Sequence, residues 1–138
     1  NLSFAFSRQA ALAQYTFLNE VLRDRGFLLL DLHNLYCQVE NFDLCLNDIL
    51  QRLDPQIVKA LHISGGSNSF VQDQKIRRDT HDEAVPDEVF TLLEEALSIF
   101  PNIESVTLER LGHTILSPVD QTQFRQDFRR MKKIVSQS

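Results

Sequence analysis

Carboxylates and imidazoles recur in this chain directly after short apolar runs. Residues 27–30 are Phe-Leu-Leu-Leu, and Asp31 follows at once, with His33 and Asn34 close behind. A second run, 58–63, carries His62 near its end, in Leu-His-Ile-Ser. A third, 105–108, ends in Glu109-Arg110. Between the second and third stands Asp79-Thr80-His81-Asp82. A carboxylate and an imidazole two residues apart in an extended segment point to the same side, so Asp79 and His81 can reach one ion together. Mixed oxygen and nitrogen donors, with no cysteine at the ends of the runs, suit iron, manganese or zinc rather than a soft thiolate site.

Taken singly, each residue has an ordinary structural explanation. Asp31 could cap the turn that follows it, and His62 could be a core histidine bonded to a backbone carbonyl. Asp79 and His81 could be solvated loop residues, and Glu109 could pair with Arg110 or with a neighbouring strand. Four such coincidences at once point to a metal site. Other features point less far. Gly65-Gly66 lacks the surrounding pattern of a phosphate loop. Arg77-Arg78 either binds an anionic substrate or balances local carboxylates, and His113 follows the third run as a loop residue near substrate. Cys37 has no adjacent base to activate it.

The elements that must position these residues alternate. Apolar spacing predicts a helix over 9–25, with Ala10, Ala13, Phe17, Val21 and Leu22 on its buried face and Gly26 ending it. Further helices are predicted over 41–53, over 87–100 behind Pro86, and over 121–135, where Arg129, Arg130, Lys132 and Lys133 complement the dipole. The three apolar runs (27–32, 58–63 and 105–108) read as strands; the first, a run of Leu without polar alternation, reads as covered on both faces. Residues 68–85 read as a long, functional loop. Helices alternating with buried strands predict an α/β fold with a parallel sheet, in which ligands collect at the carboxyl ends of the strands. A (β/α)8 barrel needs about 250 residues, so the chain reads as roughly the C-terminal half of one, or else as a small doubly wound domain.

Composition excludes several other classes. With 138 residues, 43% hydrophobic and 24% charged, the chain is globular and has room for one domain. Its net charge of −5 weighs against a nucleic-acid partner. No apolar run approaches the roughly 20 residues of a membrane span, and the start has no basic region leading an apolar stretch. Two cysteines, Cys37 and Cys45, read as reduced cytoplasmic thiols. The chain starts at Asn1 without an initiator Met and is expected to be a piece of something longer.

Four strings carry a resemblance: Gly26-Phe-Leu-Leu-Leu-Asp-Leu-His-Asn-Leu-Tyr36, Leu61-His-Ile-Ser-Gly-Gly66, Asp79-Thr-His-Asp-Glu-Ala-Val-Pro-Asp-Glu-Val89 and Leu108-Glu-Arg110. Over about residues 1–119 the chain resembles the multinuclear non-haem iron-dependent oxidative enzymes. These are xylose-isomerase-like TIM barrels that include the methanobactin-biosynthesis oxidase. The resemblance implies the C-terminal half of a barrel holding two or three iron ions, with Asp31, Asn34, His62, Asp79, His81 and Glu109 as ligands. At His33 the family usually has Asn, so His33 is a further candidate that replaces or adds a ligand. Two histidines and a glutamate from earlier strands are absent, the glutamate standing directly before an Asn that resembles Asn1. The missing half would come from a longer chain or from a second one.

The implied activity is oxidation of a peptide with dioxygen, usually at a cysteine of a ribosomally made precursor, often with a partner protein presenting it. No single general base stands out. Two other readings remain at this point. One is a divalent-metal sugar isomerase or endonuclease of the same superfamily, using manganese or zinc. The other is a non-catalytic module that binds peptide or protein.

Overall fold

The computed structural model describes residues 1–2, 5–24 and 26–138. Three parallel strands form the sheet in the order β1-β2-β5: β1 (Leu28–Asp31), β2 (Val58–Ser64) and β5 (Ser105–Glu109). Helix α1 (Arg8–Leu22) precedes the sheet. The first crossover is made by α2 (Leu32–Phe42) and the one-turn α3 (Leu46–Leu50), the second by α4 (Asp87–Ile99). After β5 come a 3-10 turn, Gly112–Thr114, and α5 (Pro118–Val135).

The two faces of the sheet differ. Register pairs Leu30 with Leu61, Leu61 with Val106 and Ile63 with Leu108, and these side chains pack against Val89, Phe90, Leu93 and Ala96 of α4. The intervening residues form rows on the opposite face: Leu29, Ala60 and Ser105, then Asp31, His62 and Thr107, then Ser64 beside Glu109. The expectation that 27–32 is covered on both faces is therefore corrected, since Leu29 remains 39% exposed. Inward side chains of successive parallel strands line the packed interior of a (β/α)8 barrel. The architecture is that of part of such a barrel, and its ligand-type residues lie on the barrel-interior face because side chains alternate with a period of two.

Other expectations change in detail. Helix α1 stops at Leu22, and the Gly26 N–H returns to the Leu22 carbonyl (3.2 Å); Arg25 lies outside the described residues. Its buried face is Ala11 and Tyr15, supported by Leu12, Leu18 and Leu22, whereas Phe17 and Val21 are exposed. Tyr15 draws that stripe inward because its hydroxyl donates to the buried Gln38 Oε1 at 3.0 Å.

The helix predicted over 41–53 shrinks to α3, and α2, which fills 32–42, was not expected. Asp43 takes a left-handed conformation (φ 50°), which ends α2, and its N–H bonds the Val39 carbonyl. Residues 68–85 are not loop throughout. Strands β3 (Asn68–Val71) and β4 (Gln74–Arg77) form an antiparallel hairpin, turned by Gln72 and Asp73, both left-handed. Pro86 caps α4 from outside rather than occupying its first turn. Helix α5 begins at Pro118, capped by Ser117, whose Oγ accepts from the Asp120 N–H.

Candidate metal centre

Asp31 ends β1 and opens α2. Its Oδ1 accepts the Asn34 N–H at 2.9 Å, so the capping role is real and uses one oxygen. The same residue's backbone is held from the sheet edge by the Asn1 side chain. The Asp31 N–H donates to Asn1 Oδ1 at 2.8 Å, and Asn1 Nδ2 donates to the Asp31 carbonyl at 3.0 Å. One carboxamide thereby fills both hydrogen-bonding positions that a neighbouring strand would fill. The Asp31 carboxyl is 7% exposed, and burial raises its pKa; the Asn34 N–H opposes the rise.

Glu109 ends β5. Its two oxygens lie 3.0 Å from His62 Nδ1 and 3.3 Å from His81 Nδ1. His81 has φ 53°, unusual for a residue with a Cβ, and its carbonyl accepts the Leu111 N–H at 2.9 Å. That bond ties the residue two beyond Glu109 to His81, so the two side chains are positioned jointly. The other His81 nitrogen, Nε2, lies 2.9 Å from Asp79 Oδ1. Asp79 Oδ1 also meets His33 Nδ1 at 3.0 Å. Burial works to raise the Asp79 pKa, but the His33 hydrogen bond and the adjacent His81 outweigh it and hold the carboxyl below its ordinary value.

Donor atoms of Asp31, His81 and Glu109 all lie within 4.8 Å of one another, the spacing that one cation can bridge. His62 and Asp79 join this group through Glu109 and His81. The Asn34 side chain makes no hydrogen bond to it among the described residues. Its Nδ2 donates to the Asn1 carbonyl at 3.1 Å, while its Oδ1 is buried without a partner among the described residues. His33 is fully buried, and among the same residues its Nε2 likewise has no partner. A carboxylate–imidazole donor set with orphaned buried acceptor and ring atoms beside it fits a hard or borderline cation. His81 adds to the fit. A neutral imidazole has one N–H, yet both of its nitrogens face carboxylates.

Gly65 and Gly66 serve close packing. A Cβ on Gly65 would stand 2.0 Å from the Ala84 carbonyl oxygen; one on Gly66 would stand 2.2 Å from that of Arg78 and 2.8 Å from His33 Cε1. The Asp79 segment can lie against the end of β2 only because these side chains are missing. Cys37 is buried, with Sγ 4.0 Å from His33 Nδ1, and burial pushes its thiol up to about 12, which suits packing rather than nucleophilic attack. His113 is exposed on the Gly112–Thr114 turn.

Two contributors escaped the sequence reading, the Asn1 clasp and the Leu111 N–H. Each acts on a backbone group distant in the chain, and neither leaves a local spacing to find.

A parallel α/β sheet carrying acidic and imidazole side chains at its strand ends defines the class, a xylose-isomerase-like barrel with a candidate metal centre. Within that class the chain belongs to the RiPP precursor modification enzyme family MbnB/TglH/ChrH, whose family model it matches over residues 1–133. Relatives include a UPF0276 protein of Caulobacter vibrioides, 34% identical over 91 residues, which covers 65% of this chain and 31% of that protein. A UPF0276 protein of Alcanivorax borkumensis is 31% identical over 102 residues, 73% of this chain and 33% of the relative. One of Psychromonas ingrahamii is 25% identical over 97 residues, 70% and 34% respectively. The match thus spans about a third of the length of these curated relatives. UPF0276 proteins belong to the xylose-isomerase-like superfamily. Among the described residues no helix is long and apolar enough to cross a membrane.

Proposed function

We propose that this chain forms part of the metal site of an iron-dependent oxidase that modifies a peptide, at a cysteine of a ribosomally made precursor. The observation that carries the reading is the convergence of Asp31, His81 and Glu109 donors within 4.8 Å in a member of a peptide-modifying family. Asp31, His81 and Glu109 would hold one ion, and His62, Asp79 and Asn34 complete the proposed ligand set, with His33 held against Asp79. Iron bound there would supply one-electron chemistry toward dioxygen and a Lewis-acid position for a thiolate. The protein's own groups do the rest. Asp79 orients the His81 ring through Nε2, Glu109 sits between two imidazoles, and the buried Asp31 contributes charge in a poorly solvated position where it binds a cation strongly. The remaining ligands are proposed to come from other barrel strands, in a longer chain or a second one, and a partner protein to present the precursor.

Elemental analysis after anaerobic purification of the full-length protein tests this, together with Asp79→Ala and His81→Ala. The expected result is two or more irons per chain, lost in both variants together with dioxygen-dependent mass change of a cysteine-containing precursor. Zinc or manganese without that mass change would replace the oxidase with the isomerase or endonuclease reading. No metal at all would overturn the catalytic reading.

A further inference from the structure

The β3–β4 hairpin lies outside the sheet, yet it leads straight into the metal centre, with Asp79 only two residues beyond β4. Its two edges are treated differently. The Arg78 N–H donates to the Ser67 carbonyl inside the ladder (2.9 Å). Antiparallel pairs alternate, so the backbone groups of Arg77 and Lys75 on β4, and of Asn68 and Phe70 on β3, point outward. On β4 the outward edge is closed at Arg77, next to the metal centre. The Arg77 N–H donates to Asn41 Oδ1 and Asn41 Nδ2 donates to the Arg77 carbonyl, both at 2.8 Å. On β3 no hydrogen bond among the described residues ends on the outward groups of Phe70. An open strand edge is a template for another chain.

One side of the hairpin, with Ser69, Val71, Ile76 and Arg78, lines a cavity of about 400 Å³ that ends on Asp79 and Thr80. The Arg78 side chain is exposed and makes no ion pair or hydrogen bond among the described residues. Lys75 and Arg77 project to the other side of β4, where the Arg77 guanidinium lies 5.3 Å over the Tyr36 ring. On the cavity side Arg78 sets one unpaired positive charge beside the apolar floor of Val71 and Ile76, in a chain of net charge −5.

We propose that the β3–β4 hairpin docks an extended, acidic segment of the peptide substrate, which adds as a strand to the free edge of β3 and sets a carboxylate against Arg78. The docking rests on the peptide-modifying reading above. Extended chain advances about 3.3 Å per residue, so pairing along the four residues of β3 spans about 13 Å and brings the residues that follow to the Asp79 end of the cavity. Backbone hydrogen bonds would give affinity without sequence preference, and the cationic end would select acidic segments.

The test measures fluorescence anisotropy of a labelled alternating Glu-Val peptide and of its Lys-for-Glu counterpart, binding to the full-length protein and to Arg78→Glu, Arg78→Lys and Phe70→Pro. The Glu peptide is expected to bind, more weakly at high salt, and the Lys peptide not to bind. Arg78→Glu should weaken binding about tenfold or more, the size of a lost charge-assisted hydrogen bond, with Arg78→Lys restoring part of it. Phe70→Pro, which removes the outward N–H and keeps the charge, should weaken it as well. Equal binding of both peptides, or affinities unchanged in both Arg78→Glu and Phe70→Pro, would overturn the docking site. Metal content, measured on the same samples, separates the two readings. Metal present with indifferent peptide binding sinks the docking site alone; Arg78-dependent binding to a protein without metal sinks the oxidase and keeps the docking site.

Discussion

Gly66→Ala isolates the packing that holds the Asp79 segment in place. No described glycine has a positive φ, so alanine introduces no backbone strain at this position and the effect is steric. The new methyl would stand 2.2 Å from the Arg78 carbonyl oxygen, 2.8 Å from His33 Cε1 and 3.0 Å from the Thr80 nitrogen. To reach ordinary contact at 3.4 Å, the Arg78 oxygen must retreat by about 1.2 Å. Movement of that size in the residue before Asp79 is enough to carry the 3.0 Å His33–Asp79 bond beyond hydrogen-bond range. Overpacking of this kind costs about 1–3 kcal/mol, and loosening a residue that orients a ligand costs about 10- to 100-fold in metal affinity. Urea unfolding of the metal-free protein reads the first effect, and titration with ferrous iron reads the second. Gly112→Ala is the control, because nothing lies within 4 Å of its added methyl; it should be neutral or slightly stabilising. If Gly66→Ala keeps both the urea midpoint and the iron affinity, or if Gly112→Ala loses as much, the packing argument is wrong.

Asn41→Ala should free both outward groups of Arg77 and cost about 1–3 kcal/mol, with faster exchange of the Arg77 amide as the direct reading. Asp31→Asn should abolish metal binding yet stabilise the metal-free protein at neutral pH. Burial raises the folded carboxyl's pKa, so its charge costs stability once the pH exceeds that value, and the uncharged amide escapes the cost; thermal unfolding in chelator measures it. In thiol labelling at pH 8 the exposed Cys45 should react at once. Cys37, buried and pushed up to about 12, should react only after unfolding, as mass spectrometry would show.

The strand ends were readable because a parallel strand packed on helices keeps an apolar run, and the residue that breaks the run marks the end where ligands gather. Asp31, His62 and Glu109 stand out for that reason. Asp79 and His81 stand out by spacing alone. Helix α2 was hidden because Leu44, Leu46, Ile49, Leu50 and Leu53 mimic a helical stripe that draws the helix to 41–53, while the chain spends them on a turn and one short helix after Asp43. The hairpin was hidden because Gln72-Asp73 turns it without the usual glycine. For α1, periodicity could not say which of two apolar stripes meets the core; a hydroxyl–carboxamide bond to Gln38 decided it.

The carboxamide clasps also bear on the order in which the molecule assembles. Asn1 grips Asp31 across 30 residues of chain, Asn41 grips Arg77 across 36, and His33 meets Asp79 across 46. None of these bonds can form in an isolated helix or strand, and each closes a loop whose entropy must be met before it stabilises anything. The cluster is therefore complete only where the sheet pairings, which span similar lengths of chain, are in place as well. A nascent or partly unfolded chain presents its carboxylates and imidazoles scattered, and cation capture is reserved for molecules that have finished folding.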